Sequence, residues 1–293
     1  MSASSTASAS LAGPHVLAYF TGEGADGLHL AVSADGLAWR PVSGGRGLFR
    51  AEVGDENLMR DPFILPAPDG SGYHLLWTTG WRGRSLGYAW STDLLNWSGA
   101  RALPVVAALP DAENAWAPEA VFEAATGDYL VYFATRQPSR YEGHRMLAIR
   151  TRDFSTFTGP EIFYDPGHSV IDAHLVPDPD RGRWVMIVKD ERLGHKNLFT
   201  ATAPSSAGPW SAPSAPFSAP LTEGATSLRT DGGWLVLYDA YGEHLTRAFT
   251  STDLHTFHSA DDALSFVGFP ERVRHPTAFP VPPALAHRLR ALA

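Results

Sequence analysis

Five short runs of aromatic and β-branched residues, "VLAYF", "YHLLW", "YLVYF", "WVMIV" and "WLVLY", punctuate the chain. Such residues suit a pleated, buried surface, so each run predicts a β-strand. Downstream of each comes a second strand-like stretch, then Ser or Thr, a turn and an aromatic: "LAVSADGLAW", "YAWSTDLLNW", "AIRTRDFSTF", "FTATAPSSAGPW" and "RAFTSTDLHTF". The closing aromatics Trp39, Trp97, Phe157, Trp210 and Phe257 recur about every fifty residues, the period range of blade-like repeats. Turn signals at Asp69-Gly70, Gly127-Asp128, Arg181-Gly182 and Asp231-Gly232 lie just upstream of four of the apolar runs and predict hairpins.

A third, shorter pattern opens the units: "RDPFIL", "APEAVF", "DAHLVP", "EGATSL" and "RHPTAF". They carry Asp61, Glu119, Asp172, Glu223 and His275, and the spacing predicts one ionisable group at the same place in every unit. In a β-propeller the first strand of each four-stranded blade lines a central channel, so five such groups converge on one axis. The expected fold is therefore all-β, a five-bladed β-propeller. The last opener has no hairpin after it, while residues 16–42 hold a second and third strand without a first. The N- and C-terminal segments are thus expected to share one blade, which removes an exposed sheet edge. A two-sheet sandwich also gives short, regularly spaced strands but does not account for the openers.

Composition narrows the partners. With 23 basic and 31 acidic residues the net charge is −8, which argues against nucleic acid or an anionic membrane and for a neutral or cationic partner. The chain has no cysteine, which excludes disulfides, thiolate catalysis and cysteine-ligated metals. Residues 1–14, small and polar, predict a disordered tail, leaving 15–293 as a single catalytic domain. That tail has neither the basic nor the apolar region of a secretory signal, so a cytoplasmic location is expected. Uninterrupted apolar runs stay well short of the roughly 18 to 20 residues of a membrane-spanning helix.

Carboxyls crowded at one axis are costly unless their unequal proton affinities are used. A pair in different protonation states performs glycoside hydrolysis: one carboxyl donates a proton to the leaving oxygen, the other activates water or attacks carbon.

In the order of these motifs, from "YFTGE" at 19–23 to "RHPTAF" at 274–279, the chain resembles glycoside hydrolase family 43. The resemblance implies a five-bladed propeller in which Asp61 of "RDPFI" is the general base, Asp172 of "IDAHL" orients the acid and adjusts its proton affinity, and Glu223 of "TEGATSL" is the general acid. Trp116-Ala117-Pro118-Glu119 matches the second-blade motif, and Arg274-His275 the fifth-blade one, whose histidine holds a water-ligated metal in some members. No cofactor is required on this reading, although a structural calcium near His275 is compatible with it. Three positions depart from the pattern: Glu119 where aspartate is frequent, Ala225 where proline is usual, and Pro276 where glycine is usual. The resemblance implies inversion by single displacement, with base and acid about 6.5 to 9.5 Å apart.

The opening "YFTGE" with "RDPFI" is similar to a furanoside-cleaving branch of the family, which implies an exo-acting galactofuranosidase or α-L-arabinofuranosidase. A β-xylosidase of the same fold and a non-catalytic carbohydrate-binding propeller are the alternatives. An invertase-like fructosidase would need an Asn-Asp-Pro motif upstream of Asp61, which the chain lacks. On any of these readings the partner is a small saccharide or glycan. For its recognition Trp81 and Trp116 are candidates for an aromatic platform, Arg60 for a polar clamp, and Glu119 and His275 for further contacts. Trp39, Trp97 and Trp210 recur with the repeat and read as structural. His174, two residues beyond Asp172, is expected on the same strand face as its neighbour.

Overall fold

The computed structural model describes residues 13–292, so the tail expected over 1–14 falls outside the described residues apart from Gly13 and Pro14. Five antiparallel sheets surround an axis. Blade 1 comprises Arg60–Pro66, Tyr73–Thr78, Leu86–Ser91 and Trp97–Leu103; blade 2, Trp116–Glu123, Asp128–Arg136, His144–Thr151 and Glu161–Tyr164. Blade 3 comprises Val170–Asp178, Arg183–Asp190 and Leu198–Ala203; blade 4, Glu223–Thr230, Gly233–Ala240, Leu245–Ser251 and His258–Ser259. The predicted hairpin turns join the first two strands of blades 1 to 4. In blade 5 the C-terminal Arg274–Pro280 is innermost and pairs with His15–Phe20, followed by His29–Ser33 and Ala38–Pro41, as the closure argument requires. The short strand Ser265–Phe266 adds a parallel partner outside Ala38–Pro41. Each innermost strand packs on the next, and Arg274–Pro280 against Arg60–Pro66 closes the ring.

The repeated Ser/Thr–turn–aromatic motif has a clear local cause. In blade 1 the Ser91 hydroxyl accepts the Asp93 and Leu94 N–H groups, while Asp93 Oδ1 accepts those of Leu95 and Asn96. Trp97 Nε1 then donates back to the Leu94 carbonyl. Ser33/Asp35, Thr151/Asp153 and Ser251/Asp253 form the same side-chain-capped turn.

Blade 3 departs from this scheme through its prolines. After the third strand the chain runs as "SAPSAPFSAP". The Ser211, Ser214 and Phe217 N–H groups donate to the Thr202, Thr200 and Leu198 carbonyls. In return, the hydroxyls of Ser211, Ser214 and Ser218 accept the N–H groups of those three residues. Pro213, Pro216 and Pro220 cannot donate to a ladder, so serine hydroxyls complete the blade's edge instead of a fourth strand.

Every innermost strand carries a β-bulge at one depth. The register slips between Arg60 and Phe63, Trp116 and Glu119, Ile171 and His174, and Glu223 and Thr226, and again where Arg274 faces Phe20. The bulge residues Asp61, Ala117, Asp172, Gly224 and His275 all have positive φ, between 40° and 58°. This geometry corrects the expectation of five ionisable groups in register. Asp61, Asp172 and His275 are equivalent, Glu223 stands one position earlier, and Glu119 two positions later.

The core lies between blades, where facing sheets interdigitate their aromatic strands. One such layer joins Trp77 and Leu75 of blade 1 to Val16 and Phe279 of blade 5. The helix Pro283–Arg290, not foreseen from sequence, inserts Ala286 and Leu289 into this layer. Among the described residues no helix is long and apolar enough to cross a membrane.

Candidate active site

The bulges at Asp61, Asp172 and His275 aim their side chains into a cavity of about 280 Å³ at the axis, whose walls also include Glu223, Arg60 and Arg274. A left-handed backbone at a non-glycine residue is strained, and aspartate tolerates it better than most. Blade 4 uses Gly224 there for a second reason: a Cβ would come within 2.7 Å of the His275 ring.

Asp61 and His275 form an ion pair, Nδ1 to Oδ1, at 3.2 Å. Burial opposes the charge on Asp61, but the His275 imidazolium, Arg60 and the Thr78 hydroxyl together hold its carboxyl well below the usual carboxylate range. Burial likewise opposes the charge on His275, yet Asp61, Asp172 and Glu223 raise its pKa to about 10. Asp172 has the same backbone setting as Asp61 and the opposite fate. Burial, with the negative charges of Glu223 and Asp61, lifts its carboxyl well above the usual range against the pull of His275 and Lys189.

Glu223 is held from two sides. Lys189 Nζ lies 2.7 Å from its Oε2, and Arg274 3.8 Å from Oε1. Behind it Asp239, fully buried, accepts the His275 N–H at 3.4 Å, and burial with the Glu223 charge raises its pKa to about 6.

The sequence-derived recognition residues separate into three cases. Arg60 is fixed, its guanidinium 4.0 Å over the Trp81 ring and 4.8 Å over Phe20, with Glu23 at 3.2 Å. Trp81 stands at the mouth, 47% exposed, edge-on to Trp116. Trp116 lines the cavity but stacks on His144, and its Nε1 donates to the Gly80 and Trp81 carbonyls. Glu119 does not reach the cavity. It sits deeper in the channel, accepting from Tyr132 at 2.9 Å and from His174 Nδ1 at 2.9 Å. His174 Nε2 accepts the Ser227 N–H, so the bulge at Asp172 has turned His174 away from its expected partner toward a cross-blade network. Trp39 and Trp97 close turns, as expected of structural tryptophans, and Trp210 packs edge-on against Phe163.

His275 engages Asp61 through Nδ1, and the described residues contain no cluster of three His, Cys, Asp or Glu side chains suited to a metal.

Sequence reasoning missed Lys189, Glu191, Lys196 and Tyr241, all in the cavity wall. One signal was available. Thr78, Lys189 and Asp239 each end or nearly end a second strand, opposite the residue before the bulge, and each reaches the next blade. Thr78 accepts the Ala117 N–H, Lys189 binds Glu223, and Asp239 accepts from His275.

Residues 13–284 match the model of a family described as a probable glycosyl hydrolase domain, related to glycosyl hydrolase family 43. The chain belongs to this family. Like other chains of known fold, this family 43-related domain is similar to a thermostable family-43 glycoside hydrolase, with a TM-score of 0.56 and 17% identity over 72% of this chain and 74% of that one. It is also similar to an α-L-arabinofuranosidase from Podospora anserina solved with cellotriose, with a TM-score of 0.57 and 17% identity over 76% and 79% of the two chains. At those identities the likeness shows the propeller fold. A curated α-L-arabinofuranosidase from Bifidobacterium longum subsp. longum is 28% identical over 215 residues, which is 64% of this chain and 20% of that protein's length.

Proposed function

We propose that this family 43-related domain is an inverting, exo-acting glycosidase that cleaves a terminal furanoside, an α-L-arabinofuranoside or a galactofuranoside. The observation that carries the reading is the divergence of Asp61 and Asp172: two aspartates on equivalent bulges facing one cavity, one held ionised by His275 and Arg60, the other driven toward its neutral form. Divergent proton affinities in one pocket are the requirement for acid–base catalysis by carboxyls.

On this reading Asp61 takes a proton from a water molecule as the water attacks the anomeric carbon. Glu223, across the cavity, gives a proton to the departing glycosidic oxygen, and Asp172 beside it discourages a second negative charge until the proton has been delivered. A cavity of about 280 Å³, at the small end of ligand pockets, suits a terminal sugar better than a long chain. Trp81 and the fixed Arg60 at the mouth supply an aromatic face and a hydrogen-bonding edge for it. The furanoside class draws support from the curated α-L-arabinofuranosidase to which the chain is similar.

Initial rates on aryl arabinofuranoside, galactofuranoside, xyloside and fructoside, together with one natural disaccharide, test this for wild type and Glu223→Ala. Hydrolysis of one furanoside is expected. Because aryl leaving groups need little protonation, the variant should retain part of that rate while losing on the order of 10²- to 10⁴-fold on the disaccharide. The first sugar released should carry the inverted anomeric configuration by proton NMR. Inactivity of wild type and variant alike on every sugar would replace this reading with that of a carbohydrate-binding propeller.

A further inference from the structure

Lys189 is a lysine with almost no access to water, standing where a strand of blade 3 meets blade 4. Its side chain is 3% exposed, and its ammonium touches two carboxylates, Glu223 at 2.7 Å and Glu191 at 2.9 Å. Tyr241 covers it from blade 4, with its ring centroid 5.0 Å from Nζ. Burying a charge this deeply is costly, and that cost is met only where the partners are fixed. Here they are: Glu191 is anchored on its far side by Lys196, at the base of the loop leading to the next strand.

We infer that Lys189 is a positioning residue that fixes the orientation of Glu223 and sets the upper pH to which the Glu223–Asp172 pair keeps the proton that catalysis needs. The inference rests on the reading of Glu223 as the acid.

The charges around it define the balance. Lys189 is faced by Asp172 from blade 3's own first strand and by Glu223 from blade 4, and Glu223 in turn by Asp239 of blade 4 and by Arg274 and His275 of blade 5; His144 of blade 2 also feels the field of Lys189. Asp190, next in sequence, is engaged instead by Arg192, with His168 and His195 nearby. Asp172 and Glu223 repel one another and so favour a shared proton, while Lys189 opposes that by stabilising the doubly ionised state. Removing the cation must therefore raise the proton affinity of the carboxyl pair. The sign is fixed by Coulomb's law, whichever of the two carboxyls carries the proton.

Lys189→Met keeps the length and apolar stem of the side chain and removes the charge; Lys189→Arg keeps the charge. In kcat/KM against pH on the natural disaccharide, the basic limb of Lys189→Met should move upward by about one pH unit, with Lys189→Arg remaining near wild type. A merely structural lysine would lower thermal stability in both variants and leave the limb where it was, which would overturn the inference. Carbon-13 NMR titration of the side-chain carboxyls, assigned with Asp172→Asn and Glu223→Gln, reads the same balance without turnover. Upward-shifted titrations in Lys189→Met support Lys189's hold on the pair's proton affinity even if no sugar is hydrolysed, in which case the glycosidase reading fails and with it only the catalytic use of that proton. Unshifted carboxyl titrations overturn it whatever the activity.

Discussion

Asp61 and Asp172 show how far a residue's chemistry depends on its neighbours rather than its backbone. Both occupy a left-handed bulge on an innermost strand, yet His275 and Arg60 surround one while Glu223 and a dry wall surround the other. A stability prediction follows at Asp172. Its folded carboxyl binds a proton more tightly than in the unfolded chain, so between the unfolded value near 4 and the raised folded value the native state holds more protons, and stability falls as pH rises through that window. Asp172→Asn removes the effect. Its unfolding free energy should match wild type near pH 4 and exceed it at pH 8 by on the order of 1–3 kcal/mol, while activity is lost; equal unfolding free energies at pH 8 in urea denaturation would contradict the electrostatic account. The residue types at this site were legible in the sequence because ionisable groups recur with the repeat. Their depth was not, because ionisable groups were aligned with one another rather than with the bulge. The column Pro62, Pro118, Ala173, Ala225 and Pro276, directly after each bulge residue, would have given the true register. It also places Pro276 among its equivalents, so the departure noted at that position leaves the local backbone like that of blades 1 and 2.

Among the elements, the repeated turn and the proline ribbon solve one problem by different means. Each of the four turns satisfies backbone donors with a paired hydroxyl and carboxylate, which explains the Ser or Thr two residues before Asp at Ser33, Ser91, Thr151 and Ser251. In blade 2, Asp153 Oδ1 accepts the Ser155 and Thr156 N–H groups at 2.8 Å, on an exposed corner far from the axis. Asp153→Ala should lower unfolding free energy by about 1–2 kcal/mol in urea denaturation and leave kcat/KM unchanged. A changed kcat/KM would mean that the turns transmit to the site. The motif "TAPSSAGPW" keeps the hydroxyl and the aromatic of that turn and ends at Trp210, just before the ribbon from Ser211 to Pro220. The ribbon's hydrogen bonds use the side chains of Ser211, Ser214 and Ser218, a spacing of three and then four that strand alternation does not reveal.

For the whole molecule, the five-unit ring and its closure by both ends were legible because a missing first strand at one end and an orphan opener at the other imply each other. The polar residues Thr78, Lys189 and Asp239 share a place at or near the end of their second strands, but that they tie neighbouring blades was not legible, since they join units whose contact exists only once the ring is formed. Deleting residues 272–292 would expose the edge of His15–Phe20 and withdraw His275 from the carboxyl cluster. The truncated chain should lose its single cooperative thermal transition and bind a hydrophobic dye. Retention of a wild-type transition would show that four blades hold without the fifth.

The shared blade also imposes an order in time. During synthesis Asp61, Asp172 and Glu223 leave the ribosome in that sequence, and the histidine that pairs with Asp61 comes after all three, on the innermost strand that closes the ring. Until that strand arrives, Lys189 is there for Glu223 but Asp61 lacks its histidine, and the carboxyls repel one another more strongly than in the closed ring. Fastening the last blade and discharging that repulsion are a single event, so the nascent chain has an electrostatic reason to leave its ring open until its closing strand has been made.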